Sequence, residues 1–209
     1  MRTLLRTRLR PMTAADIPQV LDIERESFPS AWPQTAYKRE LTNRVARYLV
    51  LAEVDDDDAG APAPGESHGL LISIRRIVGT PPQPARHERI LGFIGLWLMV
   101  GEAHIVTVAV RESYRRMGIG ERLLIAAIEL ARDYSQEVVT LEVRASNDVA
   151  QALYAKYGFA RVGLRRRYYT DNDEDAVIMT TPEIASPSYS ALIDVLRGRH
   201  RERYPDLWA

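Results

Sequence analysis

The sequence predicts a mixed α/β domain, and three observations carry that reading. A strand rich in β-branched residues, His104–Val110, runs into a turn with two glycines and then into a segment of helical periodicity. A second strand, Val138–Val143, leads to a helix that an asparagine opens and a glycine closes. The 209 residues suit one domain large enough to bury a substantial core.

At the start, Leu5–Arg10 is expected as an edge strand. Thr13 with Asp16 three residues on has the form of a capping box, with Asp in place of Glu. The helix behind it carries Ile17, Val20, Leu21, Ile23 and Glu24 and stops before Pro29. A short helix, Gln34–Asn43, leads to the strand Tyr48–Val54. From Asp55 to Arg89 the composition changes. The run D-D-D-D-A-G-A-P-A-P-G-E-S favours a solvated loop. Gly69–Val78 is apolar enough for an extra strand, which would make the insertion a lengthened hairpin. The four aspartates lack an EF-hand pattern and fit a solvated charge run better than a cation site. Ile90–Val100 is the next strand, with Gly92 and Gly95 as candidate bends.

The turn after the strand His104–Val110 reads R-R-M-G-I-G from Arg115 to Gly120. Leu123, Leu124, Ala127, Ile128 and Ala131 follow at helical spacing, so one face should pack on a sheet. Gly118 and Gly120 would let a ligand approach the backbone closely. Amides of a first helical turn lack internal partners and sit at the positive end of the macrodipole. Such a turn suits a pyrophosphate, with Arg115 and Arg116 adding charge; an ordinary strand-to-helix connection also fits. In the second strand, alternation sets Leu141 and Val143 on one face and Thr140 and Glu142 on the other. Asn147 is placed to cap the next helix, and Gly158 followed by Phe159 to end it. Asn147 and Tyr154, two turns apart, share a face that can point toward the crevice Glu142 faces. A carboxylate, a phenol and a phosphate cradle then converge at the carboxyl ends of two neighbouring strands. Ala160–Tyr168 and Asp175–Thr180 form a closing hairpin around the loop Y-Y-T-D-N-D-E-D.

At these residues the chain resembles a known family. R-x-x-G-x-G after a strand ending V-A-V resembles the acetyl-CoA motif of the Gcn5-related N-acetyltransferases (GNAT). L-E-V-R-A-S-N, A-L-Y, Y-G-F and R-R-R-Y-Y are similar to its RimI-type branch, which acetylates the N-terminal alanine of a small-subunit ribosomal protein. The resemblance spans roughly Leu9 to Thr180. It implies the GNAT fold: a mixed, mostly antiparallel sheet splayed at a V-shaped acetyl-CoA slot, with helices on both faces. It implies acetyl-CoA as cosubstrate and no metal. Cofactor contacts would come from a bulged strand at Val108, Ala109 and Val110. The turn Arg115, Arg116, Met117, Gly118, Ile119, Gly120 and Glu121 would join them, with Asn147. Glu142 would be the general base and Tyr154 the general acid. Glu121 departs from the family, which usually carries a basic residue there; the backbone cradle is expected to survive with somewhat lower affinity. The loop F-P-S-A-W-P would bring Phe28 and Trp32 to the substrate groove, and Tyr168 and Tyr169 would frame it. Plain packing for the first pair and an ordinary polar hairpin for the second stay open. Acidic residues of the hairpin loop would face a positively charged N-terminus.

Composition excludes several classes. Lys plus Arg equals Asp plus Glu at 28 each, so no bulk charge predicts nucleic acid or membrane as partner. Without cysteine there are no disulfides or thiolate chemistry, and four scattered histidines show no ligand spacing. No apolar run is long enough for a bilayer and the start lacks a signal-peptide core, so the cytoplasm is expected. The expected organisation is one domain, 1–181, with the insertion 55–89, and a C-terminal amphipathic helical extension, 182–209. In that extension Tyr189, Leu192, Ile193 and Leu196 precede Arg197, Arg199, Arg201 and Arg203; docking on the domain is the default expectation, with dimer formation or contact with ribosomal RNA as the alternatives. The expected partner is a protein N-terminus, with no direct nucleic-acid contact, and the chain a monomer or weak homodimer. The expected activity is N-alpha-acetylation. Acetylation of a small amine or a lysine, or a catalytically silent acyl-CoA-binding module, are the alternatives.

Overall fold

Among the described residues seven strands build one sheet: β1 (Thr7–Pro11), β2 (Ala46–Glu53), β3 (Arg89–Leu98), β4 (Glu102–Val110), β5 (Val138–Arg144), β6 (Ala160–Tyr169) and β7 (Glu174–Thr180). Their spatial order is β1-β2-β3-β4-β5-β7-β6. The structure, a computed structural model, describes residues 6–29, 33–54 and 88–208. Trp32, the aspartate run at 55–58 and the expected extra strand Gly69–Val78 lie outside the described residues. Only β4 and β5 pair in parallel, because a full helical crossover joins them; every other ladder is antiparallel.

Five α-helices cover the sheet among the described residues. Helices α1 (Ile17–Ser27) and α2 (Gln34–Glu40) lie over one face, where Ile17, Val20, Ile23 and Tyr37 pack with Tyr48 and Phe93. The other face carries α3 (Ile119–Asp133), α4 (Asp148–Lys156) and α5 (Pro187–Arg203). The five α3 residues expected at helical spacing are all buried there, so the period of the sequence became the packed face. Helix α5 docks through Tyr189, Ile193, Leu196 and His200. Leu192 is instead 37% exposed, because the buried stripe runs from Tyr189 to His200 and leaves it at the margin.

The feature that positions the site is a bulge. Gly95 of β3 pairs with Thr107, but Leu96 pairs with Ile105, so Val106 is an extra residue on β4. The parallel ladder to β5 stops at the same place, with Ile105 opposite Leu141. From Thr107 to Val110, β4 is laddered to β3 but not to β5. The sheet therefore splays between β4 and β5, leaving a slot along one edge of β4.

A buried ion cluster ties β1 and the turn before α1 to Glu88, the residue before β3. Arg10 grips Asp16 through two hydrogen bonds of 2.7 and 2.8 Å, and Glu88 lies 2.6 Å from the same guanidinium. Asp16 also accepts from the Thr13 amide at 2.7 Å, the half of a capping box that the sequence suggests.

Candidate active site

The turn beyond β4 is built by backbone geometry. Arg116 has φ 65° and Gly118, the N-cap of α3, has φ 83°, a left-handed conformation that suits a residue without Cβ. Arg115 does not stand off the surface: its guanidinium donates to the Val110 carbonyl (3.2 Å), the Glu26 carbonyl (2.9 Å) and Ser27 Oγ (3.1 Å). It thereby ties the turn to the end of α1. Arg116 and Met117 are exposed. Gly120 is open toward the slot: a Cβ there would meet only Val110 and Leu153, at ordinary distances of 3.8 and 3.9 Å.

Glu121, the acid in this turn, is compensated. Its Oε2 accepts from Lys156 Nζ and, at 2.8 Å, from the Tyr157 hydroxyl. Burial works to raise its pKa, but these two bonds outweigh it and leave the carboxylate below its ordinary range. The anion faces a lysine and a phenol.

Glu142 occupies the face covered by α1 and α2, opposite Leu141 and Val143. Its carboxylate is only 6% exposed; Oε2 lies 2.9 Å from His104 Nε2 and Oε1 lies 3.1 Å from an Arg165 nitrogen. The parallel ladder sets His104 opposite Thr140, two residues before Glu142 on the same face. His104 Nδ1 is 3.5 Å from Glu102, and its ring stacks near Trp97 at 6.4 Å. Sequence reasoning passed over His104 because no ligand spacing marked it. The available signal was strand alternation combined with the parallel pairing that a strand–helix–strand unit imposes.

Tyr154 is based on the other face, in the apolar cluster with Leu141 and Val143 and against Phe159 (ring centroids 5.7 Å). Burial raises its phenol pKa, and the neighbouring Tyr169 adds to the shift, so the hydroxyl stays protonated at neutral pH. Asn147 caps α4, its side-chain oxygen accepting from the Ala150 amide at 3.0 Å. Glu142 and Tyr154 thus start from opposite faces of the sheet, at the strand where β4 and β5 part.

Tyr169 interacts electrostatically with both. Its pKa is pushed up to about 12, first by burial, with Tyr168, Glu142 and Glu174 adding and Arg144 opposing. The Arg144 guanidinium lies 4.0 Å from the Tyr169 ring. Arg144 is itself gripped by Asp171 (2.8 and 3.0 Å) and Glu174 (3.1 Å). Asp171 and Glu174 of the hairpin loop are thus both engaged by Arg144. Tyr168 is 43% exposed and meets Tyr169 edge to face. Phe28 packs, partly buried, against the cluster beneath α1 and α2.

Residues 79–159 match the model of the acetyltransferase (GNAT) family. The N-alpha-acetyltransferase RimI of Mycobacterium tuberculosis is 35% identical over 170 residues, covering 80% of this chain and 87% of that protein. The ribosomal protein bS18-alanine N-acetyltransferase of Escherichia coli K12 is 37% identical over 102 residues, 48% of this chain and 69% of the relative. A crystal structure of the ribosomal-protein-S18-alanine N-acetyltransferase from Escherichia coli superposes with a TM-score of 0.64 at 24% identity, covering 87% of this chain and 97% of that one. That likeness carries the fold. Among the described residues no group of histidines and carboxylates could hold a metal ion, and no helix is long and apolar enough to cross a membrane.

Proposed function

This chain belongs to the acetyltransferase (GNAT) family, and we propose that it transfers acetyl from acetyl-CoA to the N-terminal α-amine of a protein, an alanine-initiated ribosomal protein foremost. The observation that carries this reading is the splayed slot, with a buried carboxylate based on one face and a buried phenol on the other. Names of relatives from two bacterial lineages support the α-amine as acceptor. Such a substrate would be met in the cytoplasm.

Acetyl-CoA would lie with its pantetheine along the edge of β4 left open from Val106 to Val110, and its diphosphate at the turn 115–120. Val108, Ala109 and Val110 supply backbone groups for the pantetheine, and an amide near Val108 would polarise the thioester carbonyl. Arg115 and Arg116 are both exposed cations of the turn, and Met117 flanks them. Gly118, Ile119 and Gly120 present the backbone, and Arg115 holds the turn in place. Asn147 would touch the cofactor while capping α4.

The amine nitrogen attacks the thioester carbonyl; a C–N bond forms and the C–S bond breaks. Glu142 accepts the proton lost by the nitrogen, through water, and Tyr154 gives its proton to the departing thiolate. A free α-amine has a pKa near 7.7–8.0, so roughly a tenth or more is neutral at pH 7, whereas a lysine near 10.4 is almost wholly charged. The carboxylate held by His104 and Arg165 therefore meets, in an N-terminus, an acceptor that is already partly neutral. Arg165 is the exposed partner, at 55% against 6% for Glu142, so an incoming amine competes with Arg165 for that oxygen.

The test is an acetyl-transfer assay read by mass spectrometry, with acetyl-CoA and peptides beginning in Ala, Ser or Met. A peptide with a blocked N-terminus and an internal lysine runs beside them. Acetyl on the α-amine of the Ala-initial peptide is expected. Transfer to the blocked peptide alone would reassign the acceptor to lysine, and no transfer despite bound acetyl-CoA would reject the activity.

A further inference from the structure

The C-terminal segment reaches the turn proposed for the cofactor diphosphate, and it does so through one histidine. His200 of α5 is buried, with Nε2 2.9 Å from the Gly118 carbonyl oxygen. Its Nδ1 accepts from Trp208 Nε1–H at 2.9 Å. An indole N–H can only donate, so Nδ1 must be bare, and the neutral ring carries its proton on Nε2. That proton is donated to Gly118. The same carbonyl also accepts the Arg122 amide at 3.0 Å, so both of its lone pairs are engaged.

Three further contacts fasten this joint. Tyr204 fills the space beside Gly118, where an added Cβ would lie 2.6 Å from its ring. The Arg122 guanidinium sits 3.8 Å over the Trp208 indole and donates to the Leu207 carbonyl at 3.2 Å. At the far end of the segment Thr7 donates to the Asp206 carbonyl at 3.0 Å, so the tail is pinned on both sides.

The Gly118 carbonyl and the Ile119 amide belong to one peptide plane and point in opposite directions. Fixing the oxygen on the tail side therefore aims the Ile119 N–H away from the tail. We propose that His200 is a positioning residue for acetyl-CoA: by holding the Gly118 oxygen it orients the Ile119 amide toward the diphosphate, so the C-terminal segment sets cofactor affinity. This rests on the assignment of the turn 115–120 to the diphosphate.

The arrangement is also sensitive to pH. A proton on Nδ1 would confront the Trp208 N–H donor, so the imidazolium cannot keep both bonds. Burial is the largest influence and disfavours the charged ring. The Gly118 carbonyl and Glu121 favour it, and Arg122 and Lys156 oppose it; Tyr204 and Trp208 bring no charge at neutral pH. The net effect lowers the imidazole pKa, so the neutral, bridging form holds above the ordinary histidine range and is lost on acidification below it.

The experiment compares wild type, His200→Phe, His200→Gln and Gly120→Val by calorimetric titration with acetyl-CoA and by steady-state kinetics. His200→Phe keeps the ring volume and loses the donor. Acetyl-CoA Kd should rise about three- to tenfold, the worth of one hydrogen bond, with peptide KM and saturated kcat unchanged. His200→Gln can set an amide nitrogen near the ring Nε2 position. It should recover most of the affinity, and it should abolish the weakening expected of wild type as pH falls below about 6.5. A folded His200→Phe with wild-type Kd overturns the proposal. So does a His200→Gln with the pH dependence of wild type, a comparison that stands even if His200→Phe does not fold. Gly120→Val tests the underlying assignment separately: unchanged Kd there removes the diphosphate from the turn, whatever His200 does.

Discussion

His104 Nε2 lies 2.9 Å from one carboxylate oxygen of Glu142, while Arg165 holds the other at 3.1 Å. A carboxylate that is 6% exposed would be costly without such partners, and with them it is fixed in direction. Replacing it by glutamine preserves its volume but removes the proton acceptor. Glu142→Gln should lower kcat by about a hundred- to ten-thousandfold, the usual worth of a general base. Acetyl-CoA Kd should not move, because the slot is made by β4. A normal rate across neutral pH would remove Glu142 as the base.

If His104 acts by orienting Glu142, its loss should matter only while Glu142 is present. His104→Phe retains a flat ring beside Trp97 and leaves the carboxylate to Arg165. A fall in kcat of about tenfold is expected, smaller than that of Glu142→Gln. The double variant should be no slower than Glu142→Gln alone, since the two residues form one unit. Full additivity in that cycle would mean that His104 works independently of Glu142.

Tyr154 is held neutral by its surroundings, with burial the main cause and Tyr169 second. A phenol in that state keeps the proton it can give as the thiolate develops. Tyr154→Phe deletes one oxygen from an otherwise apolar setting, so thermal stability should change little. Turnover at saturating substrates should fall by about a hundredfold or more. Unchanged turnover would strip Tyr154 of the acid role, and the proton would then come from solvent.

The local parts of this machinery were legible in the sequence because each depends on neighbours a few positions away. The left-handed Gly158 that ends α4, Asn147 as its cap and the buried stripe of α3 all follow from short-range rules. The contacts that were not legible cross the fold. His104 meets Glu142 across a parallel ladder whose register no local pattern states. His200 reaches Gly118 over a separation of 82 residues, and from the sequence the tail read only as an amphipathic helix. Glu121 illustrates the same limit. Its charge suggested repulsion of a phosphate, yet Lys156 and Tyr157, supplied by α4 and the residue after it, absorb it. Asp171 and Glu174 of the hairpin loop likewise meet Arg144, a partner on a different strand.

A last prediction concerns acid stability and the start of β3. Arg10, Asp16 and Glu88 are all buried, with side-chain exposures of 2%, 4% and 2%. They join β1, the turn before α1 and the residue that precedes β3. Burial works to raise the pKa of Asp16, but hydrogen bonds from Arg10 and Thr13 outweigh it and hold the group below its ordinary range. In the unfolded chain that aspartate titrates near 3.9. Because the folded value is the lower one, the stabilisation is fully present above about pH 4 and is lost as pH falls through the folded value. Asp16→Asn should cost about 3–5 kcal/mol at neutral pH, since it leaves a buried guanidinium short of charge compensation. The same change should flatten the acid limb of a plot of unfolding free energy against pH. Denaturant unfolding of both proteins across the acid range would decide it. An unchanged acid limb in Asp16→Asn would move the pH dependence to other carboxylates, and a loss well under 1 kcal/mol would mean that Glu88 alone suffices for Arg10.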